Sequence, residues 1–331
     1  MTVLITGASG HIGNNLVRAL IAKGLRPRCL IHQHTRAIEG LDVEKVNGDV
    51  CDISSLYRAF EGADTVYHLA GLISLSTNNW NDLQRTNIAG ARNVVEACLK
   101  TGVKRLIHFS SIHAFEREPV DRPVCEENPL VTSLKHAPYD RSKAGGTLEV
   151  RKGLEKGLDA VIIHPTAVIG PHDYQPSYLG EAILMMAKGK LPALVPGGYD
   201  WVDVRDVVQG TIAAAEKAPR GSAYLLSGHW VSMCDMAALI AELAGGKIGK
   251  FICPLWLANT GAVLLKMMSK INGKKPIYTS MSLKALQENR NVSHAKAANE
   301  LGYQPRPFRD TVEDTLRWFH EDGQLPLHKP D

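Results

Sequence analysis

Tyr139 and Lys143 stand four residues apart in Pro-Tyr-Asp-Arg-Ser-Lys, residues 138–143. On a helix that spacing brings both side chains out on one face. A phenol ordinarily titrates near about pH 10, too high for easy proton exchange at neutrality, and an ammonium beside it favours the phenolate. A drop to neutrality corresponds to roughly 4 kcal/mol of interaction. Tyr139 so tuned could exchange a proton with a carbonyl or alcohol oxygen, while a bound redox cofactor gives or takes a hydride. Ser111, at the end of an apolar run, could donate a hydrogen bond to the same oxygen, and Lys143 could also hold a cofactor ribose. A bare Tyr-x-x-x-Lys arises easily by chance as a solvated pair. It gains weight from what lies upstream.

Thr2 to Thr6 is a short, apolar, partly β-branched run, as expected of a strand buried on both faces. Gly7, Gly10 and Gly13 follow it, and then Leu16, Val17, Leu20 and Ile21 recur with helical spacing. Strand, glycine turn and helix in this order are the context in which the glycine pattern means dinucleotide binding. Gly7 would make the tight turn, Gly10 would let backbone approach a pyrophosphate, and Gly13 would let the helix pack on the strand. The diphosphate would rest on the positive end of that helix.

The second strand, Arg26 to His32, should end at the adenosine ribose. An acidic residue about 20 positions past the glycines would hold the 2′-hydroxyl of NAD. This chain has His32, Gln33, His34, Thr35 and Arg36 there, with no carboxylate. A 2′-phosphate would find Arg36 and also Arg28 or His32, which favours NADP over NAD. Asp49 and Val50, after a short third strand at 43–46, could flank the adenine, and Asp52 should cap the helix beginning near Ile53. The fourth strand, 64–69, opens into Ala70-Gly71, a turn at the carboxyl end of the sheet, where ligands of open parallel sheets gather. A helical stretch over 81–101 carries Asn87 as a polar residue on a core-facing stripe, either a satisfied buried amide or a link in the site.

The fifth strand, 103–109, delivers Ser110-Ser111 to the same rim, and the sixth, 158–164, ends at Pro165. Between them the proline-rich stretch 119–138 is long enough to cover a pocket. Repeated βα units predict an α/β fold, a doubly wound parallel sheet of Rossmann type. From Gly170 the pattern changes, with helices predicted over 178–188, 203–216, 232–244, 255–270, 280–288, 293–301 and 308–320, and a last strand over 223–226. The expected organisation is a dinucleotide-binding domain over 1–170, to which 201–227 returns. A smaller, mostly helical substrate lobe spans 171–200 and 228–331.

The whole chain sets bounds. Its 331 residues suffice for a large α/β domain plus a lobe. A net charge of +4 with no basic run gives no sign of a nucleic-acid partner. Six cysteines without CxxC spacing read as reduced thiols of a cytoplasmic protein. A first strand beginning at Thr2 leaves no room for a signal peptide, and no 18-residue apolar run lacks charge, so no membrane span is expected. The apolar stretch 251–271, followed or interspersed by Lys266, Lys270, Lys274 and Lys275, reads as a packed helix before it reads as a pocket wall or membrane-surface helix. His32 and His34 have HxH spacing but no evident third ligand, so no metal is expected. His113, two residues beyond Ser111, is a candidate substrate contact.

Thr6-Gly7-Ala8-Ser9-Gly10-His11-Ile12-Gly13, Ser110-Ser111 and Tyr139-Asp140-Arg141-Ser142-Lys143 together resemble the extended short-chain dehydrogenase/reductase family. The resemblance extends through Asn87-Ile-Ala-Gly-Ala-Arg-Asn-Val-Val, His164-Pro165-Thr166-Ala167-Val168-Ile169-Gly170-Pro171, residues 202–207 and Leu301-Gly302-Tyr303-Gln304-Pro305. It implies that Ser111, Tyr139 and Lys143 form a catalytic triad and that Asn87 supports the lysine through water. It also implies cofactor contacts from Ser9, His11, Ile12, Leu69, Ala70, Gly71, Pro165, Ala167 and Val168, and a homodimer through the long helices. Within the family, Ser-Ser-Ile-His-Ala-Phe at 110–115 lacks the Thr-Asp-Glu typical of nucleotide-sugar dehydratases. The chain is more similar to the dihydroflavonol-reductase-like and 3β-hydroxysteroid-dehydrogenase-like branch, although His164 stands where arginine often precedes the proline. The expected activity is NADP-dependent reduction of a small-to-medium apolar ketone or aldehyde, or oxidation of the alcohol. A nucleotide-sugar epimerase with bound NAD, using Lys188, Lys190 and Arg205 for a diphosphate, is the first alternative. A non-catalytic NADP sensor is the second.

Overall fold

The computed structural model describes residues 1–74, 78–191, 193–245, 252–261 and 279–326. Strand β1 (Val3–Thr6) is buried along its whole length, and β2 (Arg28–Ile31), β3 (Glu44–Asn47), β4 (Thr65–His68), β5 (Arg105–Phe109) and β6 (Ala160–Pro165) join it. Helices α1 (His11–Ala22) and α2 (Ile53–Phe60) make the first crossovers, and the Asp52 carboxylate accepts the Ser54 N–H at the head of α2. The helix predicted over 81–101 is really three pieces. A short α3 (Trp80–Leu83) runs into a π-helical turn (Gln84–Ala89) and then α4 (Gly90–Thr101). The widened turn carries Asn87 inward, and such turns occur mostly at functional sites. Helix α5 (Pro138–Glu155) opens with proline at a first-turn position, where the missing N–H costs nothing.

Beyond β6 come β7 (Ala167–Ile169), α6 (Tyr178–Ala187), β8 (Gly198–Asp203), α7 (Val204–Lys217), β9 (Ala223–Leu226), β10 (His229–Ser232) and α8 (Met233–Ala244). Among the described residues α9 (Ser280–Ala285), α10 (Ala295–Leu301) and α11 (Phe308–Glu321) follow. The main sheet has seven parallel strands in the order β3-β2-β1-β4-β5-β6-β9. Its direction of growth reverses between β1 and β4, so a crevice opens there at the carboxyl edge. Leu16, Val17 and Ile212 pack on one face with Ile5 and Ile107; Leu56, Val94 and Val150 pack on the other with Leu4 and Leu106.

The smaller lobe is not built from helices alone. A second sheet, β10-β8-β7, lies beneath Ile183, Met236, Leu316 and Phe319. Its strands are three to six residues long, too short for an alternating pattern to declare itself. The stretch 262–271 and its lysines lie outside the described residues; 255–261 is helical, with Trp256 exposed.

At the outer edge of the main sheet, the Leu225 N–H of β9 donates to the Glu126 carboxylate at 2.7 Å. Glu126 belongs to the long proline-rich connection between β5 and α5. No helix among the described residues is long and apolar enough to cross a membrane.

Candidate active site

The glycine turn is shaped by contact. Gly7 has φ +72°, and a Cβ there would lie 2.6 Å from the Ala70 N atom, so β1 and the turn after β4 meet backbone to backbone. A Cβ on Gly13 would fall 2.1 Å from the Gly7 carbonyl oxygen, which holds α1 against the strand end. Gly10 caps α1 with no side chain satisfying the first-turn N–H groups, and the first turn has no acidic residue. Those donors and the helix dipole fit a diphosphate. The His11 imidazole bonds the Pro171 carbonyl (3.0 Å), and the Asn14 and Asn15 amides donate to the carbonyls of His172 and Pro171. The turn is thus fixed to the segment after β7, whose residues Ala167 and Val168 follow Pro165. Ser9 and Ile12 lie in the turn and the first turn of α1.

At the carboxyl end of β2, where the adenosine is expected, His32 has its Nε2 3.6 Å from the Asp49 carboxylate, and Val50 is buried next to Asp49 in sequence. Arg36 pairs with both Asp322 oxygens, at 3.0 and 3.1 Å, and its guanidinium lies 5.5 Å from the Tyr174 ring centre. Arg28 is turned away from this region. It begins β2, at the opposite end of the strand, and binds Glu44 and the Ala59 and Glu61 carbonyls. A cation at the amino end of a strand cannot reach a ligand at the carboxyl end.

At the other side of the crevice, Tyr139 and Lys143 rise from the first turns of α5 towards the end of β5. The Lys143 ammonium donates to the Phe109 carbonyl at 2.8 Å, and burial pushes its pKa down to about 8. Tyr139 does not meet the expectation of a depressed pKa. Burial pushes it up to about 12; the Ser111 hydroxyl opposes that rise and the Asp140 carboxylate adds to it. The Lys143 ammonium bonds a strand carbonyl instead of the phenol, and burial keeps the proton on Tyr139. Ser111 is buried and accepts the His113 N–H at 3.2 Å, capping a short 3-10 turn.

Asn87 is a direct brace. Its Oδ1 accepts the Leu72 N–H, and its Nδ2 donates to the Leu72 carbonyl and to the Ser142 hydroxyl. Ser142 in turn donates to the Tyr139 carbonyl at 2.7 Å. The turn Ala70-Gly71-Leu72 is thereby tied to the helix that carries Tyr139 and Lys143, and Ala70 N donates to Thr6 Oγ1 at 3.2 Å.

Other participants were not evident from local pattern. Asp140, buried behind Tyr139, accepts Arg117 Nη2 at 2.8 Å and has Oδ1 3.3 Å from His113 Nδ1. Glu288, from beyond α9, also accepts Arg117 Nη2 at 2.8 Å. These two lie far from Asp140 in sequence, so no spacing joins them. A third group lies beneath the site. His68, His108 and His164 sit on the α5-facing side of β4, β5 and β6, all fully or nearly buried. His68 Nδ1 bonds Thr6 Oγ1 (2.8 Å), and His164 Nδ1 bonds the Ser111 carbonyl (3.0 Å).

A glycine turn against a helix end, opposite a buried phenol, a hydroxyl and a buried ammonium, fits a dinucleotide-dependent enzyme of the hydride-transfer type. Residues 3–227 match the model of the NAD dependent epimerase/dehydratase family, and the chain belongs to that family. It is an extended short-chain dehydrogenase/reductase of the dihydroflavonol-reductase-like and 3β-hydroxysteroid-dehydrogenase-like branch, using a nicotinamide cofactor. It is 32% identical to sterol demethylase protein B of Methylococcus capsulatus over 330 residues, covering 98% of this chain and 100% of that one. It is 28% identical to a putative dihydroflavonol 4-reductase of Synechocystis over 327 residues, covering 97% and 95%. The crystal structure of gox2253 superposes with a TM-score of 0.85 at 31% identity, covering 98% of this chain and 99% of that one.

Proposed function

We propose that the protein is an NADP-dependent oxidoreductase that reduces a ketone or aldehyde on a small-to-medium apolar framework, or oxidises the corresponding alcohol. The observation that carries this reading is the meeting of the buried Tyr139 phenol, the Ser111 hydroxyl and, one helical turn along α5, the Lys143 ammonium, which donates to the Phe109 carbonyl at 2.8 Å. NADPH, when bound, supplies the hydride. Ser111 donates a hydrogen bond to the carbonyl oxygen and orients it. Tyr139 gives its proton to that oxygen as negative charge develops there. Lys143 contributes positive charge against the phenolate left behind, and Asn87 keeps Lys143 and Tyr139 in register through Ser142.

The glycine turn and the head of α1 hold the diphosphate, with backbone from Ser9, Gly10, His11 and Ile12. Leu69, Ala70, Gly71, Pro165, Ala167 and Val168 line the nicotinamide side. Preference for NADP is supported by the lack of a carboxylate over 31–35 and by Arg36 beyond it. Arg36 must leave Asp322 to take a 2′-phosphate. The names of the relatives, a sterol demethylase protein and a flavonol-type reductase, support an apolar ring system as substrate. A nucleotide-sugar substrate is less well supported. Arg205, one of its candidate cations, is held by Asp203 and Asp314 at 2.7 Å each.

Tyr139→Phe should cut turnover of a productive ketone about 100-fold or more, the usual worth of a positioned acid, while NADPH still binds. Full turnover in that variant would remove Tyr139 from the mechanism. Stoichiometric NAD released on denaturing the purified protein would favour the epimerase instead.

A further inference from the structure

Strand β6 is buried along its whole length, and His164 is its one polar side chain, with no exposed surface. A buried polar ring costs stability unless it is hydrogen-bonded. Among the described residues this ring has a single hydrogen-bond partner: Nδ1 lies 3.0 Å from the Ser111 carbonyl oxygen, and Nε2 is buried with none. A carbonyl oxygen only accepts, so Nδ1 carries the hydrogen and donates it, while Nε2 keeps its lone pair. The imidazole also packs against Phe115, 4.4 Å between ring centres, which limits its rotation.

Ser111 needs such a hold because the sheet stops just before it. The Ser110 N–H donates to the Ile163 carbonyl at 2.8 Å, and the chain then enters the 3-10 turn at 112–114. Three successive residues are held there by three different side chains. Lys143 donates to the Phe109 carbonyl at 2.8 Å, the Thr147 hydroxyl to the Ser110 hydroxyl at 2.7 Å, and His164 to the Ser111 carbonyl. The first two come from α5 and the third from β6. The Ser111 carbonyl also takes the Ala114 N–H at 3.0 Å, and the Ser111 hydroxyl takes the His113 N–H at 3.2 Å. Holding that carbonyl fixes the peptide plane after Ser111, and with it the turn whose N–H meets the hydroxyl.

We propose that His164 is a positioning residue for Ser111: it anchors the start of the 3-10 turn from β6 and so aims the Ser111 hydroxyl at the substrate oxygen. His164 itself touches no reacting atom. The inference rests on the reading of Ser111 as hydrogen-bond donor to a carbonyl. A hydrogen bond weakens steeply when misdirected, and a donor aimed at developing charge acts in the transition state. The loss on removing His164 therefore falls on kcat and spares NADPH binding.

The test is a double-mutant cycle on the full chain with NADPH and a productive ketone. Ser111→Ala should lower kcat about 100-fold, the usual worth of one such donor. His164→Leu, which fills similar space without the N–H, should lower kcat about tenfold and leave the NADPH Kd unchanged. In the Ser111→Ala background the same change should cost less than about twofold more, since no hydroxyl is left to aim. A merely structural role would give the same loss in both backgrounds, and that outcome overturns the proposal. His164→Asn keeps an N–H where Nδ1 stands and should hold kcat within about threefold of the parent, whereas His164→Gln places its amide where Nε2 stands and should not. Equal kcat values for the Asn and Gln variants overturn the proposal even where His164→Leu fails to fold. Full kcat in Ser111→Ala alone would remove Ser111 from the reaction, and the proposal falls with that reading.

Discussion

Burial moves Tyr139 and Lys143, the proposed acid and its neighbour, in opposite senses, Tyr139 up to about 12 and Lys143 down to about 8. Both shifts come from taking charge out of water. Taken as the proposed acid, the phenol would hold its proton at neutral pH until negative charge develops on a substrate oxygen beside it. Lys143 carries its charge below about pH 8 and loses it above. The kcat/KM for reduction should therefore be level up to about pH 8 and fall beyond it. Lys143→Met should remove that falling limb along with most of the activity. A profile that stays flat to pH 10 would show that the ammonium does not support the reaction. The sequence alone made Tyr139, Lys143 and Ser111 visible, because a four-residue spacing and a strand end are local features. It did not reveal that the Lys143 ammonium bonds the Phe109 carbonyl, since that contact depends on how α5 packs on β5.

Three adjoining strands each place an imidazole under α5. Burial lowers His68 and His164 to about 3 and His108 well below the usual imidazole range; the Lys143 charge adds to each. Their folded-state values lie below the unfolded value of about 6.5. As pH falls below that value the unfolded chain takes up protons that the folded chain refuses, so stability drops until about pH 3. Each histidine should contribute on the order of 1 kcal/mol per pH unit over that window. Asp140, held at about 2 by His113 and Arg117 against its burial, adds its own loss only below about pH 4. Thermal melting between pH 7 and 4 should thus fall steeply, and His108→Leu should flatten the slope. An unchanged slope would mean these rings are protonated in the folded protein. At this scale the glycine turn, the seven parallel strands and the cap at Asp52 were legible, because period and turn chemistry declare them. The sheet formed by β7, β8 and β10 was not, since its strands are short and pair across long separations. The π turn at Asn87 also escaped, because its residues carry an ordinary helical pattern.

The two lobes are joined by ion pairs at several points. Arg306, after α10, bonds Asp206 of α7 at 2.8 Å, and Asp322, just past α11, holds Arg36 beyond the carboxyl end of β2. The second link makes Asp322 a competitor for the cation that a 2′-phosphate would need. Asp322→Asn should tighten NADPH several-fold and leave NADH unchanged; Arg36→Ala should weaken NADPH alone. Fluorescence titration of both cofactors reads this directly, and equal effects on the two would rule out Arg36 as the phosphate contact. None of this was readable in sequence, where Arg36 and Asp322 stand 286 residues apart.

The Glu126 carboxylate on the Leu225 N–H has a consequence for how copies of this chain can meet. Unpaired strand edges are templates on which another chain can add a strand. At β9 one of the outward donors is already taken by an acid, with a proline-rich connection lying over it. At the far side, β3 sets Glu44 and Lys45 along its length, half of it exposed. A sheet bordered by charge on one side and a carboxylate clasp on the other ends within its own molecule.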